Sequence, residues 1–190
     1  MKYRDMNYRY IYLIFSKTGT WLSRALSVFA ESKYVHTSIG FDDSFNKMYS
    51  FGRTNPDNPF SGGLVEESLY GGVYKKFTNS ECVIYKVRVT EEQYNNLQEE
   101  IQYFLNEKDK YRYNFIGLFG VLFNAPLKRK NHYFCSQFVS EVLIKSSIYE
   151  ADKIPELISP DDLLLIEDKE LVYEGFINDY YRFGNIYSFV

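Results

Sequence analysis

The chain is short of the residues that build special chemistry: 190 residues carry two cysteines, two histidines and one tryptophan. Two thiols, Cys82 and Cys135, cannot form a disulfide framework, so both are expected to be free and the fold has to rest on an apolar core. A zinc set would need His36, Cys82, His132 and Cys135 together, and Cys82 lies inside the apolar segment CVIYKV, where a buried inert thiol is expected. No metal and no cofactor is implied. The chain also lacks any apolar run near the roughly 20 residues that span a bilayer, so no transmembrane segment is expected. Its first residues, MKYRDMNYRYIYLIF, are broken by charges and carry no signal-peptide cleavage pattern, which predicts a cytoplasmic location. A net charge of −3 and a pI near 5.5 provide no basic footprint for nucleic acid.

What is present is bulk. With 45% hydrophobic residues the chain can bury one core, and no repeat, low-complexity segment or linker divides it, so residues 1–190 read as a single domain. Aromatic residues reach 19%, enough to furnish both a core and the walls of a cleft.

Periodicity predicts an α+β chain with an antiparallel sheet packed against helices. Strands are expected over 8–15, 35–41, 47–51, 64–67, 81–89 and 172–176, with the hairpin turn Asp42-Asp43-Ser44-Phe45-Asn46 between the second and third. Trp21, Leu22, Ala25, Leu26 and Phe29 recur at helical spacing after Thr20 and predict a helix ending near Ser32. Thr90 and Gln93 form a capping box ahead of Tyr94, Leu97, Ile101, Phe104 and Leu105. Residues 114–123 are an apolar run of helical length, and Phe134, Phe138, Val139, Val142 and Leu143 mark a helix with Cys135 in its first turn. Ser159-Pro160-Asp161-Asp162 is a further helix start. The run Lys128-Arg129-Lys130 reads as a solvated turn, and RTNPDNPFSGG as a surface loop able to border a site.

A cysteine in the first turn of a helix has its thiolate stabilised by the helix dipole and by open backbone amides. Cys135 has that position, and His36, at the start of a strand, is the imidazole a sheet could hold against a helix terminus. Position alone leaves a buried structural thiol and a hydrogen-bonded structural histidine open for these two residues.

The segments SKYVHTSIGF, KMYSFGR and YFCSQFVSEVL, in that order, resemble the permuted branch of the NlpC-like papain-fold superfamily, relatives of the lecithin retinol acyltransferase-like proteins. There a strand with H-x-x-I and a helix opening with C-S-x-x-V carry the catalytic pair, with histidine first. The likeness extends to a strand and a Ser-Arg-containing helix before the histidine motif, to KYRYNFIGL before the cysteine helix and to SPDDL after it. It implies a circularly permuted papain-like fold and a cysteine hydrolase of peptidase or amidase type, with Cys135 as nucleophile and His36 as base. The implied substrate is a peptide, another small molecule or an acyl lipid. A lipid acyltransferase or thioesterase of the same fold, and a catalytically idle binding module, remain as alternatives, and the oligomeric state is open.

The family's third catalytic member lies on the strand after the histidine strand and fixes the imidazole. The usual spacing lands on Met48, which cannot serve. The longer turn moves the expectation to Ser50, with Tyr49 and, across the loop, Glu66 or Glu67 as alternatives. For contact with substrate the resemblance implies Tyr111, with Tyr113 second, and Tyr49 and Ser136 are further candidates. The oxyanion would be met by the Cys135 amide and a second donor that the sequence does not name.

Overall fold

A computed structural model describes residues 8–18, 32–55, 58 and 61–180. The helix expected between Thr20 and Ser32 lies outside these residues apart from its last position. The chain is mixed α+β. A six-stranded, fully antiparallel sheet has the order β4-β3-β2-β1-β5-β8, built from β1 (Tyr8–Lys17), β2 (His36–Gly40), β3 (Met48–Arg53), β4 (Gly62–Glu67), β5 (Glu81–Thr90) and β8 (Lys169–Phe176). A short parallel pair, β6 (Arg112–Tyr113) and β7 (His132–Tyr133), stands apart from it.

The central strand β1 is apolar from Ile11 to Phe15 because both of its faces are covered there, while Tyr8, Arg9 and Tyr10 at its start are exposed. Ile11, Leu13 and Phe15 enter the larger core with Ile39, Phe51, Val83 and Val87, while Ile14 turns to a smaller core with Met48, Cys82 and Ile84. The larger core is roofed by α2 (Glu91–Asn106) and α4 (Cys135–Lys145). The Thr90–Gln93 capping box starts α2, which buries Tyr94, Leu97, Ile101 and Phe104. Its heart is aromatic: Phe104 stacks within 4.8–5.3 Å of Tyr111, Tyr133 and Phe138, contacts each worth about 0.5–1.5 kcal/mol beyond the area they bury.

The smaller core is closed by α1 (Gly72–Lys76), a short helix without a sequence signal, which buries Tyr74. The apolar run becomes α3 (Phe115–Leu122), and the Ser159 cap opens α5 (Pro160–Leu164). No helix among the described residues is long and apolar enough to cross a membrane.

Candidate active site

Three elements converge at the starting end of β2. Cys135 is the first residue of α4, and its N-cap residue Phe134 makes no side-chain cap, so among the described residues no capping side chain takes up the first-turn amides. The Cys135 side chain lies close enough to the His36 ring to raise its pKa, and its Sγ lies 3.9 Å from the Val35 carbonyl oxygen. The structure therefore brings together Cys135 and His36, 99 positions apart by subtraction (135 − 36).

On the other side of the ring stands Glu67, the last residue of β4. Its carboxylate oxygens are 3.0 and 3.1 Å from His36 Nε2. Ser38, two residues beyond His36 and so on the same face of β2, donates to Glu67 Oε2 at 2.5 Å and lies 3.3 Å from Nε2. The hydroxyl of Tyr74, beneath this pair, is 3.0 Å from Ser16 Oγ. With Nε2 engaged by Glu67, Nδ1 is the ring nitrogen left for the thiol.

Glu67 reaches a histidine two strands away because β3 leaves room. A Cβ on Gly52 would fall 3.1 Å from Glu67 Oε1 and 3.4 Å from His36 Cε1, so any side chain there would crowd the pair. The strand that was expected to supply the partner of His36 instead supplies the gap through which a residue of the next strand reaches the ring.

Electrostatics ties the two groups together. Burial opposes the His36 imidazolium, but the adjacent Glu67 charge, the neighbouring Cys135 and the hydrogen bond with Glu67 outweigh it and hold the ring well above its ordinary 6.5. Burial likewise opposes the Glu67 carboxylate, yet the His36 charge and the hydrogen bonds from His36 and Ser38 keep it below its ordinary 4.5.

Several expected residues stand elsewhere. Ser50 is fully buried and donates to the Thr37 carbonyl at 2.6 Å, so its hydroxyl is committed to the backbone and not to His36. Met48, on the same face, fills the smaller core. Tyr49 has the opposite parity and packs in the larger core with its ring against Phe41. Glu66 pairs with Lys47 at 2.8 Å, away from the imidazole. Tyr111 belongs to the aromatic cluster with Phe51 and Phe104.

Tyr113, two residues on, is the tyrosine near the thiol. Burial first, then the nearness of Cys135 and Glu67, pushes its phenol well above 10, which keeps the hydroxyl a donor. The β6–β7 pairing sets Tyr113 beside Tyr133 two residues ahead of Cys135, and Gly62 accepts it closely, since a Cβ there would lie 2.6 Å from Tyr113 Cβ. His132 spends Nδ1 on the Lys130 carbonyl at 2.7 Å. Cys82 is fully buried, its thiol pushed up to about 12 by burial and by Glu174. Among the described residues no group of three or more His, Cys, Asp or Glu is placed to hold a metal ion.

Two cavities flank the site. One of about 50 Å³ adjoins Cys135 and is walled mainly by apolar groups, including Val35, Leu118, Val121 and Phe134. Ser136 also lines it, although its hydroxyl donates to the Ile158 carbonyl at 2.7 Å. A wider cavity of about 400 Å³ opens on the Glu67 side between Arg53 and Tyr74.

Compared with protein-family models, curated proteins and solved structures, the chain matches none.

Glu67 is one of the three alternatives to Ser50, and nothing local favours it; Ser38 and Gly52 are the residues that sequence reasoning missed. Ser38 carried a signal, since it lies two residues from His36 on one strand. Gly52 carried another, because a glycine inside a strand marks a close approach.

Proposed function

We propose that the chain is a cysteine hydrolase with a circularly permuted papain-like architecture, cleaving an amide, peptide, ester or thioester bond through an acyl-enzyme on Cys135. The observation that carries this reading is the series Cys135, His36, Glu67, in which the thiol at a helix start adjoins the imidazole and the imidazole is hydrogen-bonded to the carboxylate. The resemblance of the histidine and cysteine motifs to that family points the same way.

In this mechanism His36 takes the Cys135 proton and the thiolate adds to the substrate carbonyl, placing negative charge on its oxygen. The backbone amide of Cys135 and the protonated Tyr113 hydroxyl are the donors for that oxyanion. The imidazolium then gives its proton to the leaving nitrogen, oxygen or sulfur as the bond to the carbonyl carbon breaks. Water, deprotonated by His36, adds to the thioester, and collapse returns the thiol and releases the acid. Glu67 stays ionised throughout, holding the ring tautomer and stabilising the imidazolium.

The apolar walls of the cavity beside Cys135 favour an apolar acyl group over a charged one. A panel of peptide, thioester and lipid-ester substrates, with Cys135→Ala as control, tests the reading. Turnover that is lost in the variant supports it, and turnover of none of the three classes leaves the binding module as the better description.

A further inference from the structure

Helix α3 has two apolar faces, and among the described residues only one of them lines the interior. Leu118 and Val121 line the cavity at Cys135. Ile116, Phe119 and Phe123, spaced by three and four residues and therefore on one outer face, are 53%, 55% and 77% exposed, and Leu127 beyond them is 39% exposed. An apolar stripe of this kind marks an interaction surface.

Along the chain the charge flanking the stripe is of one sign, although in space Asp161 shares the inner cavity with Leu118 and Val121 and Glu156 meets Lys128. Between Asp109 and Glu141 the chain has no acid but carries Lys110, Arg112, Lys128, Arg129 and Lys130, in a protein whose net charge is −3. Lys128, Arg129 and Lys130 are all exposed, and only Lys128 has a carboxylate among the described residues, Glu156 at 3.3 Å. The turn that joins the stripe to the cations is fastened at both ends: the buried Asn114 side chain accepts from the Gly117 amide and donates to the Leu127 carbonyl, and the Ala125 amide donates to Gly120.

We propose that the outer face of α3 and the adjoining basic turn dock this chain on an anionic lipid surface. The rings enter the boundary between headgroups and acyl chains while Arg129 and Lys130 meet lipid phosphates. A second copy of the chain is a poorer occupant. At about 200 Å² for each full side chain the stripe offers roughly 400 Å², half of the ~800 Å² per partner that a stable interface takes, and pairing two such faces would set like charges together. Docking in this way leaves the opposite face of the same helix, which lines the cavity at Cys135, turned away from the bilayer.

Binding does not depend on catalysis, so Cys135→Ala serves for the test whatever the chain's activity. Co-sedimentation with large vesicles of phosphatidylcholine, with and without phosphatidylglycerol, reads the partition coefficient. Strong binding is expected only with the anionic lipid, weakening as salt is raised. Phe119→Ser with Phe123→Ser should lower the coefficient roughly hundredfold, about tenfold per ring. Arg129→Gln with Lys130→Gln should lower it roughly twentyfold, about fivefold per charge. All four side chains are exposed, so circular dichroism should be unchanged. Protein that stays in the supernatant with both lipids overturns the proposal, as does unaltered binding in the two double variants. A lipid-free dimer seen by light scattering and abolished by the phenylalanine substitutions overturns it in favour of a second copy.

Discussion

The two cysteines are equally hidden, Cys82 at 0% and Cys135 at 1% exposed, yet their surroundings differ in every other respect. Cys82 is the second residue of β5, with Ile84 on its own face and a backbone flanked on both sides by strands, β1 and β8. Cys135 begins a helix, beside open amides and an imidazole backed by a carboxylate. Burial by itself therefore says little about a thiol. A strand interior provides no positive end and no vacant donor, whereas a helix start provides both.

The contrast breaks most sharply if the pair around Cys135 is dismantled. His36→Ala should reduce turnover about 10⁴-fold, and Cys135→Ala to background, measured as kcat/KM on whichever substrate the panel finds. Brief alkylation of the folded protein followed by mass spectrometry should label Cys135 alone. Predominant label on Cys82 would reverse the comparison.

Glu67→Gln keeps the shape and removes the charge, and should cost roughly 10²-fold in kcat. Gly52→Ala should lower kcat about tenfold by displacing Glu67 from the ring.

Stability offers a test that needs no substrate. A group held above its unfolded pKa stabilises fully below that value and loses the contribution as pH rises through the folded one. A group held below its unfolded pKa stabilises above that value and loses the contribution as pH falls through the folded one. His36 is the first kind, with an ordinary value of 6.5, and Glu67 the second, with an ordinary value of 4.5. Both contributions are complete between these values. The urea-midpoint difference between the wild type and Glu67→Gln should therefore peak from about pH 4.5 to 6.5 and shrink on either side.

The smallest effect belongs to Ser50→Ala, which loses one hydrogen bond to Thr37. It should cost about 1 kcal/mol of stability with turnover almost unchanged. A large loss of turnover with the fold intact would return Ser50 to the site.

Much of the sheet was legible because its periodicity is local. Leu13 and Phe15 alternate with Ile14 across β1, and the Thr90–Gln93 box announces α2 through an interaction spanning three residues. Helix α1 was not legible: a five-residue helix that opens on the second of two glycines has too few turns to show a period, and Tyr74 is buried by long-range packing alone. Tyr111 and Tyr113 show the same divide. Both are aromatic positions beside a short strand, and only the β6–β7 pairing and the approach of Gly62 decide which of them faces the thiol.

The sequence by itself determined the element types and the residues with reactive side chains, since capping, period and residue chemistry act within a few positions of the chain. Only the tertiary structure decided the partner of His36. Met48, Ser50 and Gly52 share one face of β3, and which of them is spacer, core or gap follows from the register against β2 and β4. That register brings a carboxylate from 31 residues away to the imidazole, across a strand whose glycine leaves the space, and pairing between strands is not written in the order of residues along either one.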